Sequence, residues 1–181
     1  MKTFDNFQEL LATANLPELG PGPREGVESE ASLNGKLEKR FQGTGLSEER
    51  RQLIRALVLL WHDHLEAAHG IAQRIGNADG AFVHGIMHRR DPDYSNAAYW
   101  FQRVGKHPVF PELARRVGEM LDSAKEDALR EELIPKGEWD PFGFVNLCER
   151  AVNQSEEDQQ TQLLRAIQKI ETGVLLEWFK R

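Results

Sequence analysis

Apolar residues recur at steps of three and four along nearly the whole chain, and no stretch sustains strand-like alternation. The pattern predicts an all-α protein. Phe4, Phe7, Leu10, Leu11 and Ala14 mark a short first helix, after which Pro17, Gly20, Pro21, Gly22, Pro23 and Gly26 impose an extended connector. Leu33, Leu37 and Phe41 predict a second helix, weakened at Asn34-Gly35 and ended by Gly43-Thr44-Gly45. Ser47 then stands as an N-cap before Glu48 and Glu49, which favour the positive end of the helix dipole. The stripe Leu53/Ile54, Leu57/Val58, Trp61, Leu65, Ala68, Ala72 and Ile75 predicts one helix from there to about Ile75.

The turn at residues 76–80 is short, so a helix over 81–90 should return antiparallel until Asp91-Pro92-Asp93 stops it. Ser95 caps a further helix carrying Ala97, Trp100, Phe101 and Val104, closed by Gly105-Lys106-His107-Pro108. A long helix over Pro111–Leu133 follows. Asp140-Pro141, a cap with proline at the first helical position, opens the next. Ser155 with Glu156, Glu157 and Asp158 starts the last. The expectation is one domain of seven or eight helices, with residues 1–45 wrapping a helical core formed by 46–181. Gly85, Ala97 and Phe101 also approximate the small and large positions of one tetratricopeptide-like hairpin over 81–105, which offers His84 and His88 a packing role.

Five of six histidines lie between residues 62 and 88. At ~100° per residue, His62, Glu66 and His69 fall within ~60° of one another on a single helix. His84 and His88 are four apart on the next, a spacing that metals use. Imidazole and carboxylate ligands suit zinc, iron, nickel or manganese, so a subset of His62, Glu66, His69, His84 and His88 is a candidate set for a divalent ion. The antiparallel hairpin makes His69 with His84 or His88 the expected contact. His62 is ~10 Å further along its helix, so the five cannot share one ion. In a metal-dependent enzyme, Glu66 or Asp63 would serve as ligand or general base.

A second candidate site overlaps the first. Arg89, Arg90, Asp93, Tyr94, Trp100 and Arg103 crowd one segment, where Arg forks suit a carboxylate or phosphate and aromatics can wall a pocket. The alternative for these residues is an inter-helix corner, with the acids as caps and the aromatics in the core. Charge lends the site some support. Residues 82–116 carry six Lys/Arg against three acids, whereas 119–160 carry twelve acids against four bases.

The net charge of -6 argues against a nucleic-acid partner. The longest apolar run, residues 56–61, is far too short for a membrane span, and the first six residues lack the apolar stretch of a signal peptide. The lone Cys148 rules out an intramolecular disulfide and suits a reducing compartment, so the expected location is cytoplasmic. Cys148 also falls on an apolar helix face, where a thiol is inert. There is no P-loop, no GxGxxG and no GxSxG.

The strings Leu60-Trp61-His62-Asp63-His64-Leu65-Glu66-Ala67-Ala68-His69, His84-Gly85-Ile86-Met87-His88-Arg89-Arg90, Asp93-Tyr94-Ser95-Asn96-Ala97 and Tyr99-Trp100-Phe101 resemble an uncharacterised all-helical family of bacteria and fungi. The resemblance spans roughly residues 55–115. It implies a site there and assigns no activity. Three functions therefore stand open: binding of a small anionic molecule or protein partner through residues 62–107, a histidine-based metal enzyme (hydrolase or oxidoreductase), and a peptide-docking scaffold. Whether the protein is an enzyme at all stays open.

Overall fold

The computed structural model describes residues 5–181. Phe4, assigned to the first helix by its spacing, lies outside them. The described residues form nine α-helices and no strand: α1 (Glu30–Phe41), α2 (Glu48–Trp61), α3 (Leu65–Ala72), α4 (Ala78–Arg90), α5 (Tyr94–Val104), α6 (Phe110–Ala124), α7 (Asp127–Leu133), α8 (Pro141–Ala151) and α9 (Gln159–Phe179). Asp5–Leu11 is a 3-10 helix. The count exceeds seven or eight because two predicted helices are each split.

Several starts follow local rules. Ser47 accepts from the Arg50 N–H, Asn77 from Gly80, and Asp140 from Phe142 with Pro141 following. Two starts move. Asp93 rather than Ser95 caps α5, and Asp158 rather than Ser155 caps α9.

The helix predicted to reach Ile75 breaks at His62-Asp63-His64. Asp63 adopts φ 65°, a left-handed conformation that costs a non-glycine residue about 1 kcal/mol or more. Its carboxylate explains the break. It accepts from the Arg24 backbone N–H at 2.9 Å, from Arg24 Nη1 at 2.5 Å and from Arg90 Nη2 at 2.7 Å. Three charge-assisted bonds in a buried site outweigh the strain. Gly22 passes so close that a Cβ there would sit 2.9 Å from Asp63 Cγ. The predicted helix 111–133 breaks likewise, at Lys125, which takes a left-handed C-cap conformation between α6 and α7.

Helix α4 is the central element, packed against α2, α3, α5 and α8. Every residue from Gly80 to Arg90 is buried. Gly85 permits the close approach of α5, since a Cβ there would meet the Phe101 ring at 3.0 Å. A fully buried helix ordinarily reads as apolar all round. This one carries His84, His88, Arg89 and Arg90, so each polar group needs a partner inside the protein.

The proline- and glycine-rich segment before α1 runs over the core as a strap. Phe7, Leu10 and Leu19 enter the same hydrophobic cluster as Leu33, Leu57, Phe101 and Phe144. Arg90 donates to the Gly20 carbonyl, Gln168 to Glu18, and Arg165 to Leu16 and Pro17. Among the described residues no helix is long and apolar enough to cross a membrane.

Candidate metal centre

The break after α2 sets the site. It redirects α3, so His69 on its last turn faces His84 and His88 on α4. One nitrogen from each of the three rings lies within 4.8 Å of the other two. Ring centroids are 4.7 Å apart for His69–His84, 5.5 Å for His69–His88 and 4.9 Å for His84–His88. In a tetrahedral zinc site with bonds of about 2.0–2.1 Å, ligand nitrogens stand about 3.3 Å apart. The triad would therefore close by up to about 1.5 Å around an ion, a movement open to His69, which is only half-buried.

His84 is the unusual member. It is 3% exposed, and neither ring nitrogen has a hydrogen-bond partner among the described residues. An unsatisfied buried polar atom costs about 1–3 kcal/mol. The ring is wedged between Trp100, stacked at 3.8 Å, and His88. Burial, with His88 and His69 alongside, pushes its pKa down to about 4. Burial also lowers His88, opposed by Asp93. Both rings are thus neutral at pH 7, the form that binds metals.

His88 is positioned from α5. Asn96 Nδ2 lies 3.2 Å from its Nε2 and 3.4 Å from its Nδ1, between the nitrogens rather than along either lone pair. Asp93 Oδ2 stands 3.8 Å from Nδ1. A carboxylate beside one nitrogen of a ligating histidine is the usual way such a ring is oriented. An adjoining open cavity of about 480 Å³ is lined by His69 and His88, with Met87, Glu66, Asp91 and Glu30 around them.

The other expected ligands separate. His62 turns to the strap: its Nδ1 accepts from the Glu28 N–H at 3.1 Å, so its Nε2 donates to the Leu10 carbonyl at 2.7 Å. Burial lowers its pKa. The angular grouping of His62 with His69 assumed one continuous helix and fails with the break. Glu66 is exposed at the cavity rim. Asp63, weighed as ligand or base, is instead saturated by two arginines.

The arginine-aromatic set is scattered. Arg89, fully buried, grips Glu171 with both Nη atoms, at 3.1 and 2.5 Å, and lies 4.2 Å from the Phe144 ring centre. Arg90 bonds Asp63, the Gly20 carbonyl and the Leu60 carbonyl. Neither fork is turned to a ligand. The Tyr94 hydroxyl is buried without a hydrogen-bond partner among the described residues, and burial raises its pKa to about 12. Arg103 is exposed over the Tyr99 and Trp100 rings, 5.8 and 5.5 Å from their centres. Only Asp93 and Trp100 touch the histidine site. Cys148 is buried beside Arg89 and Glu171, with its thiol pushed up to about 12 by burial.

Sequence reasoning passed over Asn96, Glu30 and Asp91 as site residues. Asn96 shows only as part of a capping sequence, and Glu30 reaches the cavity from α1, with no local signal. Comparison of the chain with protein-family models, curated proteins and solved structures finds no match.

Proposed function

We propose that this protein holds one divalent transition-metal ion on His69, His84 and His88, and that the ion's open positions act on, or bind, a small molecule entering by the adjoining cavity. The observation that carries this reading is His84: a buried imidazole, held neutral, with both nitrogens unpaired and two further imidazoles beside it. Metal coordination gives one of those nitrogens a partner and lowers the cost of burying the ring. Three imidazoles suit zinc, iron, nickel or manganese. A three-protein-ligand site leaves a position for water or substrate, as catalytic metal sites require.

Elemental analysis of tag-free protein purified without chelator tests the reading. The expected result is near-stoichiometric metal, absent from a folded His84→Ala/His88→Ala variant. No metal in the native protein, even after soaking with the four ions, would return the histidines to packing roles.

The alternative of an anion bound through Arg89 and Arg90 has less support, since both guanidiniums are engaged internally. A tetratricopeptide-like docking role for α4 and α5 draws support from the Gly85–Phe101 approach alone. A cytoplasmic location fits the lone buried cysteine.

A further inference from the structure

Two of the three histidines belong to a longer run of rings. His88 and His84 lie nearly parallel, their planes 15° apart and their centroids 4.9 Å apart. Trp100 stacks on His84 in turn, at 3.8 Å and 18°. Tyr99 meets Trp100 edge-on at 5.4 Å and is 51% exposed. At the other end His88 lines the cavity, whereas His84, Trp100 and Tyr99 do not. A contiguous series of four rings thus runs from the cavity wall, through two of the imidazoles, to the outer face of α5. Burial does not account for the outer two: Trp100 only borders the hydrophobic cluster, and Tyr99 has no place in it. Electron tunnelling between a buried ion and the surface weakens steeply with every saturated group or gap crossed. Contacting rings replace that gap with overlapping filled π orbitals. The Arg103 guanidinium over Tyr99 and Trp100 disfavours a positive charge on either ring, so they pass an electron without losing one of their own.

We propose that Trp100 and Tyr99 form the electron entrance of the histidine centre, which makes its ion a redox ion and the protein an oxidoreductase rather than a hydrolase. The inference rests on the metal reading above and narrows it: zinc, which has no redox chemistry, is not the working ion. With iron on the triad, one electron leaves an external one-electron donor at the outer face of α5 and reduces the ion from ferric to ferrous. The donor is oxidised by that one electron. No bond forms or breaks, no proton moves, and both rings end as they began. A substrate in the cavity meets the centre from the side of His69 and His88, so donor and substrate do not compete for one opening.

A tethered donor tests this. Gln102 is exposed and three residues beyond Tyr99, on the same helix face, so Gln102→Cys carries a ruthenium polypyridyl label beside that ring. Cys148 is buried with its thiol held neutral and stays unlabelled. The label is reduced by a light flash, with ascorbate as sacrificial donor, in iron-loaded protein. Decay of the reduced label's absorbance gives the rate of electron delivery. Trp100→Leu should slow it at least about tenfold, and Tyr99→Leu about threefold. Trp100→Phe, which keeps a ring, should recover most of the loss. Iron content and melting temperature are measured on the same samples, and Tyr99→Leu, at an exposed position, serves if the indole proves essential for folding. The same label on Glu66→Cys, at the cavity rim, should deliver at a rate indifferent to Trp100→Leu, which separates a lost path from a disturbed ion. Bound iron with equal rates in all Gln102-labelled proteins, or with equal slowing from both labels, overturns the inference and leaves the metal reading. Binding of zinc but not iron does the same. Absence of any metal overturns both.

Discussion

Two groups of histidines flank the kink at Asp63, and they are built differently. His62 and His64 are tied to the strap: His62 bonds Leu10 and Glu28, and His64 Nε2 bonds the Glu28 carbonyl at 2.7 Å. His107, the sixth histidine, is equally satisfied, between Asp79 and the Val109 N–H. Across the kink, His69, His84 and His88 face one another, and His84 has no hydrogen-bond partner among the described residues. The first group does what buried histidines usually do, clamping backbone groups that would otherwise go unpaired. The second leaves donor capacity unused in a protein interior. What distinguishes a candidate site from structural histidines here is hydrogen-bond satisfaction, not histidine density.

The comparison breaks most severely at the residue between the groups. Asp63→Ala strands Arg24 and Arg90 without their buried counter-charge. It should cost about 3–5 kcal/mol, the range for an orphaned buried charge, read as a shift in the denaturant midpoint. It should also detach the strap, seen as faster amide exchange over residues 16–28. A loss under about 1 kcal/mol would mean that the kink does not depend on this carboxylate.

His62→Ala should cost roughly 2–3 kcal/mol, because it leaves the Leu10 carbonyl and the Glu28 N–H unpaired in a buried place. Chemical denaturation checks it. Equal destabilisation by His62→Ala and His84→Leu would erase the distinction between the groups.

Acid should weaken the metal-free protein. His62, His84 and His88 all have lowered pKa values in the fold. The unfolded chain takes up their protons near ~6.5, before the folded state does. Their contribution is therefore full above that pH and is lost progressively as pH falls toward the lowered values, about 4 for His84. The slope is at most about 1.4 kcal/mol per pH unit for each group. Replacing His84 should flatten the profile between ~6.5 and 4. A profile unchanged by that replacement would show that His84 is not held neutral by burial.

The smallest effect is the sharpest discriminator. In metal-free protein His84→Leu removes two unpaired polar atoms and keeps an apolar contact with Trp100. Its stability should change by less than about 1 kcal/mol, in either direction. Zinc should raise the melting temperature of the native protein and leave that of the variant unmoved. A shift of equal size in both would move the ion elsewhere.

Much of this is readable along the chain. Ser47, Asp140-Pro141 and the stripes through Leu33 and Leu57 identify helices because capping and periodicity act within a few residues. The pairing of His69 with His84 and His88 is also legible, from a short turn and an i,i+4 spacing. The kink at Asp63 is not, because the apolar stripe continues past it to Ile75. The fates of Arg89 and Arg90 are equally hidden, since Glu171 is 82 residues downstream of Arg89 and Gly20 is 70 upstream of Arg90.

By itself, then, the sequence determined an all-helical chain, a few of its helix starts and a stretch rich in ionisable side chains, all consequences of short-range backbone and side-chain preferences. Which of those side chains are engaged and which left unpaired was decided by the tertiary structure. A buried charge takes whichever opposite charge the packing of distant helices brings within about 3 Å. The arginines found theirs, Asp63 bent a helix in doing so, and the same bend brought three imidazoles together beside an acidic cavity.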